Sequence, residues 1–182
     1  MASETKFVGT GASVAGINTD WANPGRITAE NGSSATATFT PVAATDYIQG
    51  TNCGFAIPVG AAITGVEVGF KVYDAGAHLP GFVPVITVSA KLVKGGAISG
   101  NDGSDSASWG STALAWFTLG SSTSMWGLAL TPSDCNASDF GAVVACGDFI
   151  GTVQNVPTMD AMKMTVYYSV PLPSSQGFSI AP

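Results

Sequence analysis

The residues of this chain that could carry out chemistry are few and widely spaced. His78 is the single histidine, and it lies in a loop rich in glycine and proline. A Ser-His-Asp arrangement would need it beside a serine in a G-x-S-x-G turn, a pattern that the sequence does not contain. The histidine and the three cysteines also lack the spacing of a transition-metal site. We therefore predict a protein that is not an enzyme and that holds no metal and no cofactor.

Two pairs of carboxylates are candidate ligands or catalysts. Asp102 and Asp105 lie in the sequence NDGSDS, and Asp134 and Asp139 flank a predicted short helix. Such a loop could hold Ca²⁺, but the glutamate at the twelfth position of an EF-hand loop is missing. Asx turns are the favoured interpretation of these aspartates. The sequence does not place two carboxylates across a sugar cleft, as a glycosidase would require.

Composition excludes several classes of partner. Among 182 residues, 10% are charged and the formal net charge is −6. The six cations are scattered, so binding to nucleic acid is not expected. No apolar run approaches the ~18 residues of a membrane span, and no signal peptide is visible, so we expect synthesis in the cytoplasm. There a reducing environment would keep Cys53, Cys135 and Cys146 as buried thiols.

Alternation of apolar and polar residues predicts the strands. Within Phe55–Tyr73, one face carries Val66, Val68, Phe70 and Val72, which indicates a half-buried central strand. A preceding strand is expected to end at residues 55–57. Further strands are predicted at 26–28, 35–40, 46–49, 85–93, 114–119, 140–146 and 161–169, with regular alternation along 85–93 and a hairpin turn at 31–32.

One short helix is predicted after Thr131. Threonine is a favourable N-cap, Pro132 suits the first helical position, and Asp134 can complete a capping box. The fold class is therefore all-β: a single-domain antiparallel β-sandwich or jelly roll with one short helix and extended terminal arms. Residues 1–20 form an N-terminal arm or edge strand, 21–170 the sandwich, and 171–182 a C-terminal arm.

The sequence predicts that two of the four tryptophans are in the core and two are more open. Trp116 and Trp126 are predicted to be core residues, because one lies within a strand and the other beside Gly127-Leu128. Trp21 and Trp109 lie in more open segments and are candidate platforms for a sugar ring.

An ordered set of segments resembles β-sandwich virion proteins and modules of tailed bacteriophages. The set comprises, in single-letter sequence, WANP at 21–24, TNCGFAIP at 51–58, GAAITGVEV at 60–68, AKLVKGG at 90–96, MWGL at 125–128, TPSDCNASDFG at 131–141 and MTVYY at 164–168. The resemblance implies a non-enzymatic role as a capsid decoration (cement) protein, or as a tail or fibre component or host-glycan attachment module.

A stand-alone domain of this size with few charges favours the capsid role. The expected partners are the major capsid protein and further copies of the chain, as a homotrimer on the outer capsid surface of the virion. Apolar residues in the arms and in the 74–84 loop are the candidate partner-binding residues: Phe7, Leu79, Phe82, Leu172, Phe178 and Ile180.

Overall fold

A computed structural model describes residues 1–15, 19–39, 43–76, 85–110, 113–148 and 155–171. Within these residues the chain forms two antiparallel sheets that pack together, which confirms the predicted all-β sandwich. Sheet A contains β1 (Ala2–Phe7), β3 (Ala35–Thr36), β6 (Ala62–Asp74), β9 (Ala115–Gly120) and β11 (Pro157–Ser169). Sheet B contains β2 (Thr10–Val14), β4 (Ala43–Ala44), β5 (Tyr47–Thr51), β7 (Ile86–Lys94), β8 (Ala97–Ser99) and β10 (Gly141–Asp148).

The core lies between β6 and β11 of sheet A and β10 of sheet B. The predicted inward face of β6 is confirmed, since Val66, Val68, Phe70 and Val72 are all buried. Sheet A has the order β1-β11-β6-β9, with β3 also pairing to β11, so β6 and β11 are its central strands. All eight residues of β10 are buried, which places this strand in the middle of the molecule.

The N-terminal residues form edge strands on both sheets. β1 pairs with β11 of sheet A, and β2 pairs with β5 of sheet B. Between them, Val8 N donates to Met162 O at 3.1 Å and Gly9 N donates to Thr51 O at 2.8 Å. The backbone therefore passes from one sheet to the other without losing its hydrogen bonds, and it closes one side of the sandwich.

Two predicted strands are replaced by other backbone structure. Pro24–Ile27 forms a 3-10 turn because Pro24 lies at its start, where a missing N–H costs nothing. Because no strand precedes it, the turn at Asn31-Gly32 does not join a β-hairpin. Phe55 and Ile57 are buried but lie outside any strand.

Positive φ angles explain the missing strand before β6. Asn52 has a φ of 58° and Gly54 has a φ of 67°, and neither value is compatible with an extended ladder. The segment leaves β5 at this point and reaches the core as a loop. Its Phe55 ring packs against the Phe140 ring, with centroids 6.4 Å apart.

A β-bulge interrupts the alternation predicted along β7. Ser89 pairs with Ala145 and Thr87 pairs with Cys146, so Val88 is the extra residue on β7. A bulge reverses the side-chain alternation that follows it. Thr87 is therefore buried in the core before the bulge, and Ala90 is buried after it. The sequence alone predicted an uninterrupted strand here, and that prediction is wrong.

The helix prediction is confirmed. Helix α1 spans Pro132–Asn136, and Thr131 is its N-cap. Asp134 N donates to Thr131 Oγ1 at 3.2 Å, and Thr131 N donates to Asp134 Oδ2 at 2.8 Å. Among the described residues, no helix is long and apolar enough to span a membrane.

Candidate interaction surfaces

The outer face of sheet A carries an aromatic patch. Phe7 on β1 lies opposite Lys163 on β11, and Lys163 lies opposite Gly69 on β6. Trp116 on β9 reaches toward them from the other edge, so that its ring centroid is 6.4 Å from that of Phe7. We call Phe7, Trp116, Lys163 and Gly69 the outer patch.

Gly69 allows these side chains to lie flat on the sheet. A Cβ at this position would be 3.1 Å from Lys163 Cε and 3.7 Å from the Trp116 ring. The Lys163 side chain crosses this space and places Nζ 4.0 Å from the centroid of the Trp116 ring. A cation–π contact of this kind contributes about 0.5–1 kcal/mol at an exposed site. It also restricts the lysine before any partner binds.

Polar groups surround the outer patch. Thr5 Oγ1 and Thr165 Oγ1 are hydrogen-bonded at 2.9 Å, and Tyr167 OH donates to Glu67 Oε2 at 3.4 Å. An apolar centre with a polar rim is the usual organisation of a protein interface. Phe7 is 42% exposed, which is high for an aromatic residue on a described strand. The arrangement can bury two aromatic rings against an apolar surface or stack one of them on a sugar ring.

A charged cluster borders the outer patch, two residues after Gly69 on β6. Lys71 on β6 pairs with Glu30 and lies 3.7 Å from Asp160 Oδ2. The hydrogen bond from Lys71 to Glu30 raises the pKa of the lysine. Asp160 is buried, and its Oδ1 accepts from Gly32 N at 2.8 Å. These contacts hold the 28–33 loop against sheet A, so one side of the patch is fixed.

Three of the four tryptophans lie in environments other than those predicted. Trp126 is buried, as predicted. Trp21 and Trp109 are buried at 3% and 0% exposure, so the prediction that they are open sugar platforms is wrong. Trp116, predicted to be a core residue, is only partly buried and lies in the outer patch.

Contacts with residues distant in the sequence account for the burial of Trp109 and Trp21. The Trp109 ring lies 6.1 Å from Phe70 and 6.5 Å from Trp21. Its Nε1 donates to Thr87 Oγ1 at 3.0 Å, and Trp21 Nε1 donates to Asp46 O at 2.9 Å. Both indole N–H groups are therefore satisfied inside the protein, as buried indoles require.

Among the predicted partner-binding residues, Phe7 alone is described, and it is exposed in the outer patch. Leu79, Phe82, Leu172, Phe178 and Ile180 lie outside the described residues, as does His78. Sequence reasoning missed Trp116 as a surface residue. The signal was present, because Phe117 and Leu119 both suit the inner face of β9 and leave Trp116 on the other side.

A groove lies between the turn before β6 and helix α1. It has a volume of about 580 Å³ and is lined by Val59, Gly60, Thr131, Pro132, Ser133, Asn136 and Ala137. Asn136 holds the two walls together: Ile57 N donates to its Oδ1 at 2.8 Å, and its Nδ2 donates to Ile57 O at 2.9 Å. Val59 is 99% exposed at the rim. We call this the Val59 groove.

The aspartates of the NDGSDS loop make Asx turns. Asp102 Oδ1 accepts from Ser104 N at 2.9 Å, and Asp105 Oδ1 accepts from Ala107 N at 2.9 Å. Partial burial would raise the pKa of Asp102, but hydrogen bonds from Ser89, Ala90 and Ser104 outweigh it and lower the pKa. In the part of the chain that the structure describes, no three His, Cys, Asp or Glu residues converge as metal ligands.

The three cysteines are buried free thiols, as predicted. Burial raises the pKa of Cys53 and of Cys135 to about 12, and it also raises the pKa of Cys146. A nucleophilic cysteine needs a lowered pKa and access to solvent. These residues have neither property, so they pack as small apolar side chains.

A buried polar cluster at the far end of the sandwich was not predicted. Asp74 Oδ1 accepts from Gly76 N at 3.0 Å and from Val156 N at 2.9 Å, and these bonds join the end of β6 to the start of β11. Nearby, Asn155 Nδ2 donates to Asp148 Oδ2 at 2.9 Å. The carboxylate of Asp74 satisfies backbone donors where the two strands leave the sheet.

The described residues thus define a two-sheet β-sandwich with an aromatic patch on one outer face and a separate groove beside a helical turn. Comparisons with protein-family models, with curated proteins and with solved structures found no match.

Proposed function

We propose that this protein decorates the capsid shell of a tailed bacteriophage and stabilises it by binding across neighbouring capsid subunits. The observation that carries the proposal is the outer patch, where exposed Phe7 and partly exposed Trp116 lie together within a polar rim. The resemblance of segments between residues 21 and 168 to virion β-sandwich proteins supplies the class of partner.

The proposed mechanism is mechanical and needs no catalytic residue. Many copies would bury apolar surface at boundaries between capsid subunits, and each buried square ångström contributes about 25 cal/mol. A stable interface covers roughly 800 Å² on each partner, and tryptophan is enriched among the residues that dominate its energy. A charged fraction of 10% is consistent with a surface that partners cover extensively. A homotrimer on the outer capsid surface is part of this proposal.

Copy number tests the location. Quantitative mass spectrometry of purified particles would give the ratio of this protein to the major capsid protein. Near-stoichiometric amounts are expected for a decoration protein. A few copies per particle would refute the capsid role and would favour a tail or fibre component.

Substitution tests the surface. Capsids assembled without this protein would be titrated with the wild type, with Trp116→Ser and with Phe7→Ser. Loss of an interfacial aromatic residue is expected to weaken binding about tenfold or more. Ile98→Ser is the matched control, because Ile98 is also an exposed apolar residue but lies on β8 of sheet B. Equal affinities for all four proteins would contradict the assignment of the outer patch.

Glycan attachment is the second candidate, and Trp116 is the observation that favours it. An aromatic ring beside Phe7 could stack on a sugar, with Lys163 donating hydrogen bonds to hydroxyl groups. Titration of the intact protein with host-surface glycans at millimolar concentration would test this, with the Trp116 indole resonance as the readout. An unchanged resonance across the glycan panel would exclude it.

A further inference from the structure

The last described residues lead directly to the Val59 groove. β11 runs antiparallel to β6, with Tyr168 opposite Ile63 and Ser169 opposite Ala62. The ladder ends at this pair, and Ala62 lies two residues after Gly60. Gly60 and Val59 line the groove.

Proline ends the ladder at this point. Pro171 and Pro173 have no N–H to donate, so the chain cannot extend β11 by regular pairing. The described ladder accordingly ends at Ser169. Val170 is itself 54% exposed, and Val59 at the groove is 99% exposed. The described residues leave both of these apolar side chains uncovered.

The C-terminal segment and the groove have matching chemistry. Residues 172–182 read LPSSQGFSIAP and contain no charged residue. The side chains that line the groove are also uncharged. Eleven residues can span up to about 36 Å. Because β11 ends opposite Ala62, two residues from Gly60, the segment is long enough to reach the groove. The groove volume is in the range that holds several apolar side chains.

We propose that the Val59 groove is the binding site of the chain's own C-terminal segment, residues 172–182, with Leu172 packed against Val59. The occupant is the segment of the same molecule, because β11 ends opposite Ala62, two residues from Gly60 at the groove. Asn136 fixes both walls through Ile57, so the site is formed before the segment arrives. This inference is independent of the proposed capsid role.

A disulfide test in the full chain examines the first contact. The pair Val59→Cys and Leu172→Cys is expected to form a bond within one molecule under mild oxidation. The control pair is Ile98→Cys with Leu172→Cys, since Ile98 is exposed on β8. The groove pair should react at least about tenfold faster, because docking raises the effective concentration of the two thiols. Equal rates for the two pairs, or bonds formed between molecules, would overturn the proposal.

A second measurement examines the rest of the segment without cysteine chemistry. The methyl resonances of Val59 and Ala137 would be compared in the wild type and in Phe178→Ser, a variant changed outside the described residues. Both resonances are expected to shift, because a ring current near the groove would be lost. Unchanged resonances would show that the segment beyond Leu172 does not occupy the groove. Ala12 on β2, which does not line the groove, provides the reference resonance.

Discussion

The hydrogen bond between Trp109 and Thr87 gives the sharpest test of how the sandwich is held together. Trp109 is fully buried, and its Nε1 donates to Thr87 Oγ1 at 3.0 Å. Thr87 is also fully buried and faces inward just before the β7 bulge. Replacing one partner leaves the other buried without its hydrogen bond. Replacing both partners leaves no polar group unpaired.

The magnitudes follow from this arrangement. Thr87→Val retains the shape but orphans the indole N–H, which costs about 1–3 kcal/mol. Trp109→Phe leaves the threonine hydroxyl unpaired and removes part of a ring that contacts Phe70 and Trp21, at a cost of about 2–3 kcal/mol. The double variant keeps the packing loss but has no orphaned donor or acceptor. It should therefore be about 1–2 kcal/mol more stable than the sum of the single effects predicts.

Denaturant titration monitored by far-ultraviolet circular dichroism would measure the cycle, because this signal does not depend on the tryptophan removed. For a domain of this size, 1 kcal/mol corresponds to roughly 2–4 °C in Tm. If Trp109 lay at the surface, both single variants would fall within about 0.5 kcal/mol of the wild type and the coupling would vanish. That result would refute the burial of Trp109 and would restore it as a candidate ligand platform.

Three further predictions concern other parts of the fold. The cysteine thiols should react with a thiol reagent at pH 8 only after unfolding, because a pKa of Cys53 raised from 9.0 to about 12 lowers its thiolate fraction about a thousandfold. Titration with and without denaturant checks this, and rapid labelling of the native protein would contradict it. Gly141→Ala should destabilise the fold by roughly 1–3 kcal/mol, because its Cβ would overlap the backbone oxygen of Gly50 and force the backbone to shift. The control Gly25→Ala meets nothing within 4 Å, so equal Tm values for the two variants would be evidence against this packing. Asp102 has a lowered pKa, so its contribution to the free energy of unfolding is full above its unfolded pKa and is lost as the pH falls through its folded pKa. Asp102→Asn should therefore lose less stability than the wild type on acidification. Parallel plots of stability against pH for the two proteins would exclude the effect.

Local patterns were sufficient for the parts of the fold that depend on near neighbours. Val66 to Val72 alternate over enough residues to identify the central strand, and the capping residues of α1 lie within three positions of one another. Both features were predicted correctly because strand periodicity and helix capping are local properties. A strand ending at residues 55–57 was predicted because apolar Phe55 and Ile57 alternate as on a strand, and the positive φ angles that break pairing are not visible in the sequence.

The candidate surfaces depended on long-range packing and could be predicted only in part. Phe7 was identified from its apolar character in the N-terminal segment, and it is exposed. Trp116 and Trp109 were assigned to the wrong environments, because alternation shows that neighbours face opposite sides without showing which side is buried. The Val59 groove requires helix α1 to pack beside a distant turn through Asn136, and no local pattern predicts that contact.

The two proposed surfaces can be tested separately because of their positions on β11. Lys163 marks the outer patch, and Ser169 lies at the end next to the groove, six residues or about 20 Å along the strand. Effects of substitutions at this separation normally add. Trp116→Ser should therefore weaken capsid binding without altering the Val59 methyl resonance, and Phe178→Ser should alter that resonance while Phe7 and Trp116 remain in contact. If Phe178→Ser also weakened capsid binding, the C-terminal segment would contribute to the partner surface, and the outer patch alone would not account for decoration.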